Sequence, residues 1–335
     1  MVKSGANEVI RWGILSTGKI AQSFVLDLQR LEDHKVVAVG SRSLASATSF
    51  ADRFSISHRF GSYFELVNDP DVDAIYVATP HPMHHENTLM ALDAGKPVLC
   101  EKVFAMNHAQ AAEMVAKARE KKLLLMEAMW TRSLPHIRRI REIVASGVIG
   151  KVISIQADHG QWFAADPAFR LFAPELGGGA LLDLGIYPVS FAHMILGAPS
   201  QITARGTKAF TGVDEQTSII LDYSSGAQAI LTTTLAAVTP NRAVIVGTEG
   251  RIEVDRTFYN PSNFRVISRT GEVIDGWEKK YQGGGLREQA AEFARCLRAG
   301  ELESPTITLD ETLEIMQVLD EVRRQIGLTY PGLNE

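Results

Sequence analysis

Between residues 10 and 126, short and nearly continuous apolar runs alternate with longer segments whose apolar positions recur three and four apart. The runs at 10–15, 36–40, 74–78 and 97–100 have the character of strands buried on both faces, as a parallel sheet requires. A weaker run at 58–60 stands third in order. The segments 20–31, 44–54, 84–94 and 109–121 read as helices, with Ser43 and Asn107 as N-caps and Gly95 as a C-terminal stop. Strand and helix alternating in this way predict an α/β fold with a doubly wound parallel sheet over residues 1–130.

After a helical stretch at 134–146 the period changes. The segments 152–157, 202–206, 217–222, 227–234 and 243–246 alternate or are rich in β-branched residues. Turn signals at Ser224 to Gly226, Glu249–Gly250 and Thr270–Gly271 join them by short connections, which predicts a large, open, mainly antiparallel meander. Helices at 286–299 and 309–326 complete a second, α+β domain, assigned to residues 131–335.

Composition narrows the function classes. The chain has 335 residues, 45% hydrophobic and 22% charged, which suits two packed cores. A net charge of -5 argues against a nucleic-acid partner, which calls for clustered Lys and Arg. No apolar run is read as approaching the roughly 20 residues of a membrane span, and residues 1–8 lack a basic and an apolar leader region. The expectation is a cytoplasmic protein without a membrane partner. Cys100 and Cys296 lie far apart, which predicts reduced structural thiols.

The first strand runs into Gly13-Ile14-Leu15-Ser16-Thr17-Gly18-Lys19-Ile20-Ala21, where a Rossmann domain sets its phosphate loop against a helix N-terminus. Against G-x-G-x-x-G, Ser16 replaces the first glycine, Gly18 keeps the central one and Ala21 the third. Ser16, Thr17, Gly18, Lys19 and Ile20 are therefore candidate cofactor contacts. The second strand ends in Ser41-Arg42 and carries no acid for a ribose 2′-hydroxyl. A hydroxyl and a guanidinium suit a 2′-phosphate, so NADP is expected in preference to NAD. Thr79, Pro80, His81 and His84 follow the fourth strand at the same carboxyl edge and join the cofactor set. His81, His84 and His85 lack an acidic or thiolate companion, so no metal is expected.

The fifth strand ends in Glu101 and Lys102, two charges closing an apolar run. A lysine beside a nicotinamide can favour deprotonation of a neighbouring hydroxyl or hold a carbonyl oxygen. Downstream, three glycines at 177–179 precede a predicted helix on which Asp183 and Tyr187 stand four apart and share a face.

Four stretches, Arg11 to Ile14, Val98 to Lys102, Met126 to Arg132 and Gly178 to Tyr187, together resemble the glucose-fructose oxidoreductase, inositol dehydrogenase and rhizopine catabolism (Gfo/Idh/MocA) family. Within it they are most similar to the dihydrodiol and NADP-dependent D-xylose dehydrogenase subgroup. The resemblance implies that Tyr187 is the general acid/base, that Lys102 lowers its pKa, and that Asp183 positions the substrate hydroxyl or the lysine. It further implies that Glu101, Trp130 and Arg132 line the cofactor site, and that dimers form through the open sheet of the second domain. The family usually reads Glu-Lys-Pro, often with a cis bond, where this chain has Val103.

The implied reaction is hydride transfer between a sugar or dihydrodiol CH–OH group and NADP. Two other readings keep the fold. One is reduction of a keto sugar such as anhydrofructose or a nucleotide-linked 3-keto sugar. The other is a non-catalytic NADP-sensing regulator, a class that lacks the Lys and Tyr pair. The loops 161–176 and 259–285 follow no motif, and Trp162, Phe163 and Arg170 are candidate substrate contacts in the first of them.

Overall fold

The computed structural model describes residues 9–333; residues 1–8, read above as lacking a leader, lie outside them. The chain divides into two compact units, the first reaching Trp130 and taking in Gly283–Leu313, the second comprising Thr131–Gln282 and the chain from Glu314.

In the first unit six strands, β1 (Ile10–Leu15), β2 (His34–Gly40), β3 (His58–Phe60), β4 (Ala74–Val77), β5 (Val98–Glu101) and β6 (Leu125–Ala128), form one sheet in the order β3-β2-β1-β4-β5-β6. All neighbours are parallel. Helices α1 (Lys19–Leu28), α2 (Leu44–Phe54), α3 (Tyr63–Val67), α4 (His84–Asp93) and α5 (His108–Lys121) connect them. The caps expected at Ser43 and Asn107 form: each side-chain oxygen accepts the N–H three residues on, from Ser46 at 3.4 Å and Gln110 at 2.9 Å. Gly95 follows α4 at φ +78°, where a side chain would be strained. The apolar pattern did not predict α3 or the strand β6, which are only 5 and 4 residues long and show no resolvable period.

The second unit holds α6 (Pro135–Ala145) and an eight-stranded sheet built from β7 (Val152–Gly160) and, after the helix α7 (Ile186–Leu196), from β8 (Gln201–Lys208), β9 (Asp214–Asp222), β10 (Gln228–Thr234), β11 (Ala243–Gly247), β12 (Gly250–Val254), β13 (Phe264–Ser268) and β14 (Val273–Trp277). The order is β14-β13-β12-β11-β7-β10-β9-β8. It departs from the expected meander at one place. β7 inserts between β10 and β11 and pairs with β10 in parallel, which a reading of consecutive hairpins could not reveal. Residues alternate along the strands, Leu221, Ala229 and Leu231 being buried and Ile220 and Ile230 exposed, so one face is covered and the other open.

Two expectations are corrected. Residues 283–313, assigned from the sequence to the second domain, pack with the first. The buried Asp27 carboxylate on α1 accepts the N–H groups of Gly284, Gly285 and Arg287 at 2.9–3.1 Å, capping α8 (Leu286–Ala299). Leu286, Ala290, Phe293 and Cys296 then join the core around Trp12. The last helix, α9 (Leu309–Ile326), contains the boundary between the units. The second correction concerns Pro174–Leu196, which has the length and apolarity of a membrane span although no such run was expected from the sequence. Most of it is buried, as befits a core helix.

Trp12, fully enclosed, meets Phe24 edge-on at 5.6 Å and Phe293 at 5.0 Å. Its indole N–H donates to His34 Nδ1 at 2.9 Å, so that nitrogen must be unprotonated. Burial accordingly pushes the His34 pKa down from 6.5 to about 4, against the opposing pull of Asp33. A ring kept neutral in the fold stabilises it fully above about pH 6.5, and that contribution is lost as pH falls toward 4. Thermal melts at pH 7 and pH 5 should therefore show a larger drop in Tm for the wild type than for His34→Gln; equal drops would show that His34 is not an acid-sensitive element.

Candidate functional site

The first unit gathers its candidates at the carboxyl ends of its strands. β1 ends at Leu15, and Ser16, whose N–H donates to Gly40 O at 3.0 Å, takes φ +113° in the position where the motif has glycine. Its hydroxyl accepts the Gly18 N–H at 3.4 Å. Gly18 is the N-cap of α1 and supplies no side-chain cap. A Cβ added there would meet only Ser16 Oγ, at 3.8 Å, so the backbone faces open space. Exposed N–H groups at a helix N-terminus, with room for backbone approach, fit a pyrophosphate. Gly18, Lys19 and Ile20 are exposed and Thr17 half-buried, while Ala21 is fully buried and allows close helix packing.

At the end of β2, Ser41 is buried and its hydroxyl accepts the Ser43 N–H at 3.4 Å. Arg42 is exposed. It lies beside the Tyr63 phenol, whose pKa burial raises while Arg42 pulls it down. An exposed guanidinium at this register, with no neighbouring acid in the strand end, fits a ribose 2′-phosphate.

After β4, Thr79 and His81 are buried and Pro80 half-buried. Asn87 donates to the Thr79 hydroxyl at 3.2 Å. His84 is fully enclosed, its Nδ1 2.8 Å from Val103 O and its Nε2 2.8 Å from Thr79 O. Only a doubly protonated ring donates to both carbonyls. Burial depresses its pKa, the Lys102 ammonium adds to the effect, and the two carbonyls oppose it. Burial is the larger cause, so the His84 pKa lies below the usual histidine range. His85 pairs instead with Glu113 at 2.7 Å, so neighbouring histidines turn to different partners. β5 closes with Glu101, buried and accepting from the Tyr76 hydroxyl, followed by Lys102, half-buried on a cis Lys102–Val103 peptide. Trp130 is partly buried against the core of this unit.

The second unit carries its own candidates. Residues 177–179 turn tightly after Pro174–Leu176, with Gly177 at φ +67° and Gly179 at φ +114°. At Gly178 a Cβ would fall 2.7 Å from Leu171 O, which excludes any side chain. The chain then enters a π-helical turn, Leu181–Gly185, that leads into α7. The stretch from Asp183 to Tyr187 thus passes from the π-helical turn into α7. Asp183, nearly buried, receives Arg170 Nη2 at 3.0 Å on both carboxylate oxygens. Tyr187 packs edge-on against His159 at 5.3 Å and beside Tyr259 at 5.1 Å.

His159, Tyr259 and Gln161 were not singled out from the sequence. Gln161 Nε2 donates to His159 Nε2 at 2.9 Å and to the Tyr259 hydroxyl at 3.4 Å. His159 Nδ1 therefore carries the proton and faces Leu184 O at 3.2 Å, which fixes a neutral tautomer. The ring stacks on Tyr259 at 3.9 Å. A histidine flanked by glutamine at i+2 near a strand end is the only signal the sequence offered. Of the remaining candidates, Arg132 is enclosed, its Nε donating to Ser190 at 3.0 Å. Trp162 is 63% exposed, and Phe163 packs on Phe169 at 5.5 Å.

Comparison with known proteins matches residues 10–129 to a family model described as an oxidoreductase family with an NAD-binding Rossmann fold, and residues 137–253 to the GFO/IDH/MocA C-terminal domain. The chain is 40% identical to trans-1,2-dihydrobenzene-1,2-diol dehydrogenase of Xenopus tropicalis, covering 96% of this chain and 99% of that one. It is 39% identical to the D-xylose 1-dehydrogenase (NADP(+)) of Hypocrea jecorina, over 98% and 95% of the two chains. Among solved structures, the 3-ketoreductase KijD10 of Actinomadura kijaniata, complexed with NADP and TDP-benzene, superposes with a TM-score of 0.83 at 28% identity, over 95% and 98%.

The strained Ser16 backbone yields a direct test. A side chain at φ +113° costs on the order of 1–3 kcal/mol, and glycine relieves this at an entropic cost of roughly 0.5–1 kcal/mol. Ser16→Gly should leave Tm unchanged or raise it by about 1–3 °C and retain NADPH binding by fluorescence titration. A fall in Tm would mean that the Ser16 hydroxyl contact to Gly18 outweighs the strain.

Proposed function

The chain belongs to the GFO/IDH/MocA oxidoreductase family, and on that premise we propose that it is an NADP-dependent dehydrogenase of sugars or trans-dihydrodiols. The observation that carries this reading is Lys102 at the carboxyl end of β5, on the same sheet edge as the open Gly18 loop and the Ser41–Arg42 pair. The dihydrodiol and xylose dehydrogenases to which the chain is similar lend support.

When bound, the nicotinamide accepts or returns a hydride. Gly18 and the first N–H groups of α1, with Ser16, Thr17, Lys19 and Ile20 around them, hold the pyrophosphate. Ser41 and Arg42 hold the 2′-phosphate and so set the preference for NADP over NAD. Thr79, Pro80, His81 and the enclosed His84 shape the wall along β4, and Glu101 anchors the end of β5 through Tyr76. Trp130 and Arg132 belong to the same site as supporting residues.

Tyr187 acts as general acid/base, taking the substrate hydroxyl proton in oxidation and returning it in reduction. Lys102 favours the phenolate by its charge. Asp183, paired with Arg170 at 3.0 Å, accepts a hydrogen bond from a substrate hydroxyl. Phe163 and Trp162 offer apolar surface to a sugar or diol ring. The second unit also provides the homodimer surface. Ile220 and Ile230 stand opposite each other on the open sheet face, 39% and 45% exposed. We place the enzyme in the cytoplasm, where its two buried free thiols stay reduced.

NADP+ reduction should be assayed against a panel of aldoses, polyols and trans-dihydrodiols, with NADPH oxidation on keto sugars as the reverse arm prompted by the 3-ketoreductase likeness. Lys102→Ala and Tyr187→Phe should each lower kcat by about 10²–10⁴-fold; full activity in both would overturn the mechanism. Titration with the two reduced cofactors gives the second check. Arg42→Ala should weaken NADPH by about tenfold, the scale of one charge-assisted contact, and leave NADH within about twofold. Equal affinities for the two cofactors in the wild type would refute the NADP preference.

A further inference from the structure

We infer that Asp214, at the start of β9, is a positioning residue for the Asp183 and Tyr187 site, acting through the glycine turn that carries both. This rests on the proposed roles of those two residues.

The geometry converges from several directions within the second unit. Asp214 is 1% exposed. Its Oδ2 accepts the Leu181 N–H at 2.8 Å and the Thr217 hydroxyl at 2.9 Å. Leu181 is the first residue of the π-helical turn, so this bond ties the entrance of the turn to the sheet. A buried backbone N–H left without an acceptor is destabilised, so the carboxylate is what holds the entrance of the turn in place.

The glycines read as the other half of the same device. A Cβ at Gly179 would fall 2.2 Å from Asp214 Oδ1 and 3.3 Å from the Tyr330 hydroxyl. That hydroxyl donates to Gly178 O at 2.5 Å. The Gly178 and Gly179 N–H groups in turn donate to Ala173 O at 3.1 Å and Leu171 O at 2.8 Å. The segment that bears Arg170 is thus bonded to the turn that Asp214 holds. Burial raises the Asp214 pKa to about 6, against the hydrogen bonds from Thr217 and Leu181. Tyr330, itself facing Arg323, is the titratable side chain beside it.

The carboxylate acts on the backbone of the turn. What it fixes is the height at which the π turn begins, and therefore the directions in which Asp183 and Tyr187 leave the chain. Displacements of about an ångström at proton-transfer groups are expensive in rate while leaving cofactor binding untouched.

The test compares Asp214→Ala, Asp214→Asn and Gly179→Ala with Tyr187→Phe in the full-length protein, using the best substrate from the panel. Asp214→Ala and Gly179→Ala should each lower kcat at least tenfold while the NADPH dissociation constant stays within twofold. Asp214→Asn, whose amide oxygen can still accept from Leu181, should recover at least threefold of the Asp214→Ala loss. Gly179→Ala keeps the test alive if Asp214→Ala does not fold. Wild-type kcat in Gly179→Ala or in folded Asp214→Ala, in an enzyme inactivated by Tyr187→Phe, would overturn the inference alone. Equal losses in Asn and Ala variants would overturn it too, because the acceptor geometry would then be irrelevant. Full activity of Tyr187→Phe would instead sink the underlying assignment of the site.

Discussion

The cofactor side of the protein depends on one topological constraint. Parallel strands joined by helical crossovers all point the same way, so every chain segment leaving a strand emerges at one edge of the sheet. The order β3-β2-β1-β4-β5-β6 reverses direction between β1 and β4, which opens a crevice there. The Ser16–Gly18 loop, Ser41–Arg42, Thr79–His84 and Lys102 come from four different strand ends, yet the sheet delivers them to a common edge.

Maintaining that edge falls to the core beneath it. Trp12 sits between Phe24, His34 and Phe293, and Phe24 stacks on Tyr76 at 3.9 Å. Tyr76 in turn donates to Glu101, the residue before Lys102. A continuous path of packed rings and one hydrogen bond therefore runs from the first strand to the candidate catalytic lysine. The return of 283–313 completes the same core, with Asp27 bonding three N–H groups at the start of α8. A buried carboxylate is tolerable there because each of its oxygens is occupied by a donor.

The second unit solves a different problem. Its candidate residues are carried by a glycine turn, a π-helical turn and the end of β7. Turns leave backbone groups that a sheet or helix would pair, and buried side chains take up several of them. Asp214, Tyr330, Thr233 and Asn241 do this by bonding to backbone groups of Leu181, Gly178, Ala180 and Gly160. The aromatic cluster of His159, Tyr187 and Tyr259 then packs on a support that the glycine-rich sequence alone could not make rigid.

How much of this was legible in the chain follows from the range of the forces involved. The strands of the parallel sheet, the caps at Ser43 and Asn107, and the glycine-bearing turn from β1 into α1 are encoded within a few residues of themselves, and they could be read directly. So could the family, because Glu101–Lys102 and the segment from Gly178 to Tyr187 are contiguous words. The parallel insertion of β7 between β10 and β11, the capture of α8 by Asp27, and the meeting of His159 with Tyr259 were settled only by tertiary structure. Each joins residues far apart in the chain, and its energy comes from burial and from hydrogen bonds whose second partner no local pattern specifies.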